Sequence, residues 1–165
     1  GYLKDAAATD EAFAGGWFHT GDIVRRGADG QLHFIDRRKN VIRRSGENIS
    51  AVEVESVLLQ HPMVKAAAVA AVPDAVRGDE VLACIVSDSV PAERGAREVA
   101  AAALVAHCLE RLAYYKAPGH VAFVDALPLT TSNKVQRAQL KELAASMLGQ
   151  GGCVDTVALK KRPAA

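Results

Sequence analysis

Three stretches of this 165-residue chain place residue types where they could do chemistry. The densest is Asp36-Arg37-Arg38-Lys39-Asn40-Val41-Ile42-Arg43-Arg44-Ser45-Gly46-Glu47-Asn48-Ile49-Ser50. From Asp36 to Glu47 it carries five positive and two negative side chains, and Val41 and Ile42 are its only large apolar residues. Unpaired Lys and Arg are almost never fully buried, so the run reads as surface rather than core. Val41 and Ile42 predict a short strand, Gly46 permits a turn with positive φ, and Ser50 starts a helix. So much positive charge at a strand-turn-helix entry suits a surface that meets an anion or another domain; a solvated basic face is the plainer alternative. The second stretch is Gly16-Trp17-Phe18-His19-Thr20-Gly21-Asp22. A carboxylate placed like Asp22, after Gly at the start of a strand, can accept two hydrogen bonds from a ribose diol. A turn-forming Asp beside Gly is the competing reading. The third is Leu127-Pro128-Leu129-Thr130-Thr131-Ser132-Asn133-Lys134-Val135-Gln136-Arg137, a turn-rich loop that presents one lysine.

The elements that would carry these residues follow from pattern. Thr9 to Phe13 predicts a short helix with an acidic first turn. Ile23–Arg26 and Gln31–Ile35 flank Ala28-Asp29-Gly30 as a hairpin. Ser50-Ala51-Val52-Glu53 is a capping box, which explains Glu53 better than acid–base chemistry does. Val54, Val57 and Leu58 continue that helix on one face until His61-Pro62 ends it. Val64–Val72 and Val81–Val86 predict two antiparallel strands, and Arg77-Gly78-Asp79-Glu80 between them reads as a structural loop. Glu98–Ala113 is an Ala-rich helix with Leu104, Cys108 and Leu112 on one stripe. Val121–Val124 is a third strand and Arg137–Met147 a last helix. Gly149–Gly152 is expected to end order, leaving Lys160-Lys161-Arg162 in a mobile basic tail. Strands grouped with flanking helices give an α+β class.

Composition narrows the function. Half the residues are hydrophobic, and the net charge of +1 gives no global pull toward nucleic acid or membrane. Cys84, Cys108 and Cys153 are odd in number and far apart, without metal-ligand spacing. They suggest free thiols in a reducing, cytoplasmic compartment. No signal-peptide pattern or membrane-length apolar run is present.

Taken in order, the three stretches resemble the C-terminal signatures of the adenylate-forming (AMP-binding) superfamily: acyl-CoA synthetases, aryl-CoA ligases, firefly luciferase and the adenylation domains of peptide synthetases. The resemblance runs from about Gly1 to Leu143. It implies a strip of a large N-terminal domain over 1–38, a C-terminal lid domain over 39–147 and a flexible tail over 148–165. The lid is expected to hold a mainly antiparallel three-stranded sheet flanked by helices, preceded by the β-hairpin strip. The same resemblance assigns roles. Asp22 and Arg37 hold the ATP ribose, and Lys39 is the hinge, where a residue must change φ/ψ with its side chain in water. Arg43, Arg44, Ser45 and Gly46 form the CoA-side loop, with Gly46 letting pantetheine pass close to backbone. Trp17 and His19 fit the motif and are read as packing.

Lys134 ends the family form Pro-x-Thr-x-x-(Gly/Asn)-Lys and corresponds to the lysine that bridges the substrate carboxylate and the α-phosphate. An ammonium suits a site where two anions approach and negative charge builds on phosphorus. Asn133 replaces the commoner Gly, and Asn tolerates positive φ next best. The implied reaction is acid, ATP and CoA to acyl-CoA, AMP and pyrophosphate, with Mg and ATP bound mainly by an N-terminal domain beyond this chain. Two rivals are the lid of an adenylation domain that loads a carrier protein, and a small non-catalytic binding module. Against the latter, residues 36–50 contain no aromatic for base stacking.

Overall fold

The structure is a computed structural model that describes residues 1–90 and 92–160. It forms two units, Gly1–Lys39 and Asn40–Ala165.

The first unit is a short helix and a hairpin. Helix α1 (Ala6–Ala12) starts earlier than the acidic cluster predicts, because the Asp5 side chain caps it by accepting from the Ala8 N–H. Strands β1 (Asp22–Arg26) and β2 (Leu32–Arg37) pair antiparallel, with a register shift between Ile23 and Val24. The turn is closed by Gly27 N–H to the Gln31 carbonyl at 2.8 Å, and Gly30 takes φ 82° there. Among the described residues of this unit only Asp36 is buried. Trp17, read as packing, is 80% exposed. Its neighbour His19 is tied down by donating Nε2–H to the Ala14 carbonyl at 2.9 Å.

The second unit is an α+β sandwich whose sheet is larger than expected. Among the described residues it has six strands rather than three. The predicted strand at Val41 and Ile42 becomes a hairpin, β3 (Val41–Arg44) and β4 (Glu47–Ser50). Strands β5 (Ala66–Asp74) and β6 (Gly78–Val86) pair antiparallel along their full length, so most of the expected 77–80 loop is strand. Because β5 occupies one edge of β6, the other edge is shared by β3 at Gly78 and by β7 (His120–Phe123) at Leu82–Ile85. The β6–β7 pairing is parallel, which requires a long crossover connection between the two strands. The sixth strand, β8 (Cys153–Asp155), pairs with β7.

Helices cover both faces. α2 (Ala51–Leu58) and α3 (Arg94–Leu109) pack on one side, where Val54, Leu58, Leu104 and Cys108 meet Val69, Val81, Ala83 and Ile85. α4 (Arg137–Gly149) packs on the other, with Leu140 and Ala144 against Ala68, Ala70, Leu82 and Cys84. The alternation of Val81, Leu82, Ala83, Cys84 and Ile85 between these clusters is the period of two of a strand buried on both faces. α3 begins and ends about one turn before the predicted range, so Leu112 lies beyond it.

Residues 153–160, expected in a tail, belong to this fold. Beyond β8, a 3₁₀ turn over Val157–Leu159 brings the Lys160 ammonium to 1% exposure and 2.6 Å from Glu80 Oε1. Lys161 and Arg162 lie outside the described residues. Glu80 is itself fully buried, and also receives Arg44 Nε at 3.0 and 2.9 Å and the Val81 N–H at 2.9 Å. Burial alone would raise its pKa; the donors Lys160, Val81 and Arg44 outweigh that and hold the carboxyl below its ordinary range. Burial pushes the Lys160 amine down to about 8, against the pull of Glu80. A Cβ on Gly119 would stand 2.5 Å from the Glu80 carboxyl carbon.

Two outcomes are expected. Glu80→Gln leaves two buried cations facing a neutral amide and should cost about 3–5 kcal/mol in urea unfolding. Because the folded pKa of Glu80 is depressed, its stabilisation is present above the ordinary value of 4.5 and is lost as pH falls through the folded value. The variant should therefore show a flatter acid limb in a plot of stability against pH. Gly119→Ala forces the pinned Glu80 side chain to move and should cost about 1–3 kcal/mol by the same measurement.

Candidate functional site

The predicted site residues fall in both units. In the first, the hairpin register sets Asp22 directly opposite Arg37. Gly21 takes φ 74° and its carbonyl accepts the Arg38 N–H, while the Asp22 N–H donates to Thr20 Oγ1 at 3.1 Å. These bonds explain why Thr, Gly and Asp occur in that order: the hydroxyl caps the strand start, the glycine turns the chain, and the carboxylate is presented. Arg37 Nε lies 2.8 Å from Asp22 Oδ1. The contact is an ion pair whose geometry makes no hydrogen bond, and among the described residues this enclosed oxygen has no hydrogen-bond partner. An enclosed carboxylate oxygen with an unused lone pair wants an external donor, and a hydroxyl supplies one. The Arg37 side chain is 62% exposed beside it.

The unit boundary falls directly after Lys39. Lys39 is exposed and lies in a single 3₁₀ turn, Arg38–Asn40.

In the second unit, Ser45 and Gly46 are the two turn residues of the β3–β4 hairpin, at φ 49° and 85°. Two consecutive positive φ values define the tight hairpin turn that matches strand twist. Space is open where a Gly46 Cβ would stand. The Ser45 N–H donates to the Arg77 carbonyl at 2.9 Å, and the Arg43 N–H reaches Asp79 Oδ2 at 3.3 Å. The two arginines, expected to act alike, are separated by strand alternation. Arg43 points outward, and among the described residues its guanidinium has no partner. Arg44 is 6% exposed and committed to Glu80. It anchors the turn from below and is not a free cation at its tip.

Lys134 sits in a loop that closes on itself. Thr130 N–H donates to the Lys134 carbonyl at 2.8 Å, and Lys134 N–H donates to Thr130 Oγ1 at 3.1 Å. Asn133 N–H reaches the Thr130 carbonyl at 3.0 Å, and Asn133 takes φ 57°, a left-handed conformation that Asn tolerates next best after Gly. Leu129 and Val135 form a bridge across the base of the loop. The backbone is thus fixed while the side chain is exposed, and among the described residues the ammonium has no hydrogen bond or ion pair.

Sequence reasoning passed over the residues that hold these loops. Glu55 shares α2 with the apolar stripe and is buried, accepting from Arg137 Nη1 at 2.6 Å, Arg137 Nη2 at 3.0 Å and the Val69 N–H at 2.8 Å. A carboxylate amid core-facing residues demands a partner, and that was the available signal. Ser50 caps α2 by accepting the Glu53 N–H on its hydroxyl at 3.2 Å, whereas the Glu53 carboxylate takes Lys116 Nζ at 2.7 Å. Cys84 and Cys108 are free and buried, which pushes both thiols up to about 12 and leaves them poor nucleophiles. Among the described residues no group of three or more His, Cys, Asp or Glu could hold a metal, and no helix is long and apolar enough to cross a membrane.

Residues 53–134 match the model of the AMP-binding enzyme C-terminal domain. The 2-succinylbenzoate–CoA ligase of Bacillus licheniformis is 45% identical over 140 residues, covering 85% of this chain and 28% of that protein. The peroxisomal trans-cinnamate:CoA ligase of Petunia hybrida is 39% identical over 146 residues, covering 88% of this chain and 25% of the relative. Among solved structures, the o-succinylbenzoate CoA synthetase of Bacillus subtilis in complex with its acyl-adenylate intermediate superposes with a TM-score of 0.73 at 39% identity, over 85% of this chain and 27% of that one. The chain spans about a quarter of the length of the curated relatives it matches. With the match, the identities and the shared fold in agreement, the chain belongs to the adenylate-forming, AMP-binding family of acyl-CoA synthetases and carries its C-terminal domain.

Proposed function

We propose that this chain is the lid of an ATP-dependent carboxylate–CoA ligase, with a strip of the enzyme's larger domain attached. In the first half-reaction a substrate carboxylate oxygen bonds to the α-phosphorus of Mg-ATP, the bond to pyrophosphate breaks, and an acyl-adenylate remains. In the second, the CoA sulfur bonds to the acyl carbon, AMP leaves, and the thiol gives up its proton. Lys134 acts in the first step, placing its ammonium against the carboxylate and the α-phosphate as charge builds there. The Arg43–Gly46 turn acts in the second, with Gly46 leaving room for the pantetheine arm and Arg43 available to its phosphates. Asp22 and Arg37 hold the ribose, and Lys39 is the pivot between the two arrangements. Magnesium enters with ATP as part of the substrate. The observation that carries this reading is the Lys134 loop: a backbone closed by its own hydrogen bonds around one exposed, unpaired ammonium.

The exposed Asp22 hairpin, with Tyr2, Leu3, Trp17, Leu32 and Phe34 uncovered, fits a strip taken from a larger apolar-cored domain. The acid-binding pocket would lie in that domain, together with the phosphate loop.

In the full-length enzyme, Lys134→Ala should lower acid-dependent pyrophosphate release by at least about 10²–10³-fold, while thioester formation from supplied acyl-adenylate largely survives. Equal loss of both halves would contradict the division of labour. The 165-residue chain alone should release no pyrophosphate with any carboxylic acid, and measurable release would refute its assignment as a lid. Comparing CoA with a phosphopantetheinyl carrier protein as thiol acceptor separates the ligase from a carrier-loading enzyme.

A further inference from the structure

We infer that the domain mounts its two functional loops on two separate buried carboxylates. Glu55, acting through Arg137, positions the Lys134 loop; Glu80, acting with Lys160, positions the Ser45–Gly46 turn. The consequence for turnover rests on the two-step reaction proposed above, whereas the anchoring rests on geometry alone.

Consider first the Lys134 side. Gln136 N–H donates to the Pro128 carbonyl at 2.8 Å and Gln136 Nε2 to the Leu129 carbonyl at 2.7 Å, so the two ends of the loop are joined. The next residue is Arg137, the first of α4. Its guanidinium forks onto both oxygens of Glu55 and also donates to the Val69 carbonyl at 3.2 Å. A bidentate fork fixes orientation as well as position. The base of the loop is therefore tied to α2 and β5 together, three residues from the lysine.

The turn side has the same logic with different members. Arg44 is the residue immediately before Ser45, and Glu80 holds it from β6. Lys160 approaches the same carboxylate from the segment after β8. Three charges thus converge beneath the turn, and removing Lys160 leaves Arg44 with a carboxylate that has lost its second counter-ion. The two networks share no member: one comprises Glu55, Arg137 and Val69, the other Glu80, Arg44, Lys160 and Val81. Each loop can be loosened without the other. None of Glu55, Glu80 or Lys160 touches substrate in the proposed reaction, so all three are positioning residues.

The test uses two mild variants and two readouts. In this chain, Glu55→Gln should speed amide hydrogen exchange at Thr130, Lys134 and Gln136 by at least about tenfold and leave Arg43 and Ser45 within about twofold. Lys160→Met should do the reverse. In the full-length enzyme, Glu55→Gln should slow acid-dependent pyrophosphate release by about tenfold or more while sparing thioester formation from supplied acyl-adenylate, and Lys160→Met should show the opposite split. A merely stabilising role would depress both halves together. Should Glu55→Gln fail to fold, Arg137→Lys keeps the charge, loses the fork, and must give the same pattern. Equal loosening of both loops by each variant, or of neither, overturns the anchoring. Separated exchange without separated half-reactions, in an enzyme where Lys134→Ala does abolish adenylation, overturns the positioning role. If Lys134→Ala leaves adenylation intact, the proposed reaction fails instead, and the exchange pattern alone decides the anchoring.

Discussion

A carboxylate with no access to water must be surrounded by donors, and that requirement at Glu80 organises the second unit. Four elements meet to satisfy it: β3 brings Arg44, β6 brings the acid and the Val81 N–H, the segment after β8 brings Lys160, and Gly119 leaves the space. Replacing such a cluster with well-packed apolar groups often costs nothing in stability, so burial of charge is a poor argument for strength. Its effect here is to fix which strand ends lie together. The long-range pairing of residues 44, 80 and 160 closes the sheet where β3 and β7 share one edge of β6.

Three cations meet different fates in this fold because of what faces them. Arg44 and Lys160 are drawn inward by a buried acid. Lys134 stays outside: its loop makes its hydrogen bonds through backbone and Thr130, and among the described residues the ammonium has no hydrogen bond or ion pair. With the backbone tied down, only the lysine side chain itself would remain to be ordered if an anion met it. The Ser45–Gly46 turn shows the complementary device: a fixed backbone with a missing side chain, which offers room in place of charge.

Much of this was legible in the sequence wherever a local rule decided the outcome. The hairpin around Asp29-Gly30, the Ser50 cap and the apolar stripes of α2 and α3 follow from turn chemistry and periodicity. So does the positive φ at Asn133. The strands that escaped prediction are those without local apolar signal. β4 reads Glu-Asn-Ile-Ser and β8 reads Cys-Val-Asp, and both are strands because an existing edge offers them a ladder. The status of Arg44 was hidden for the same reason. Whether an arginine lies inward or outward depends here on an acid 36 positions away, and no window around Arg43 and Arg44 contains that information. Charge density alone suggested a solvated run; one of its five cations proves to be core.

The indole of Trp17 has an optical consequence. The chain holds a single tryptophan, and it stands 80% open to solvent in the first unit. Emission excited selectively at the indole band therefore comes from that unit alone, at the long wavelengths of a hydrated ring, and the sheet domain is dark in the same channel. Any surface that comes to cover the hairpin strip will report itself as a blue shift, without a label having to be attached.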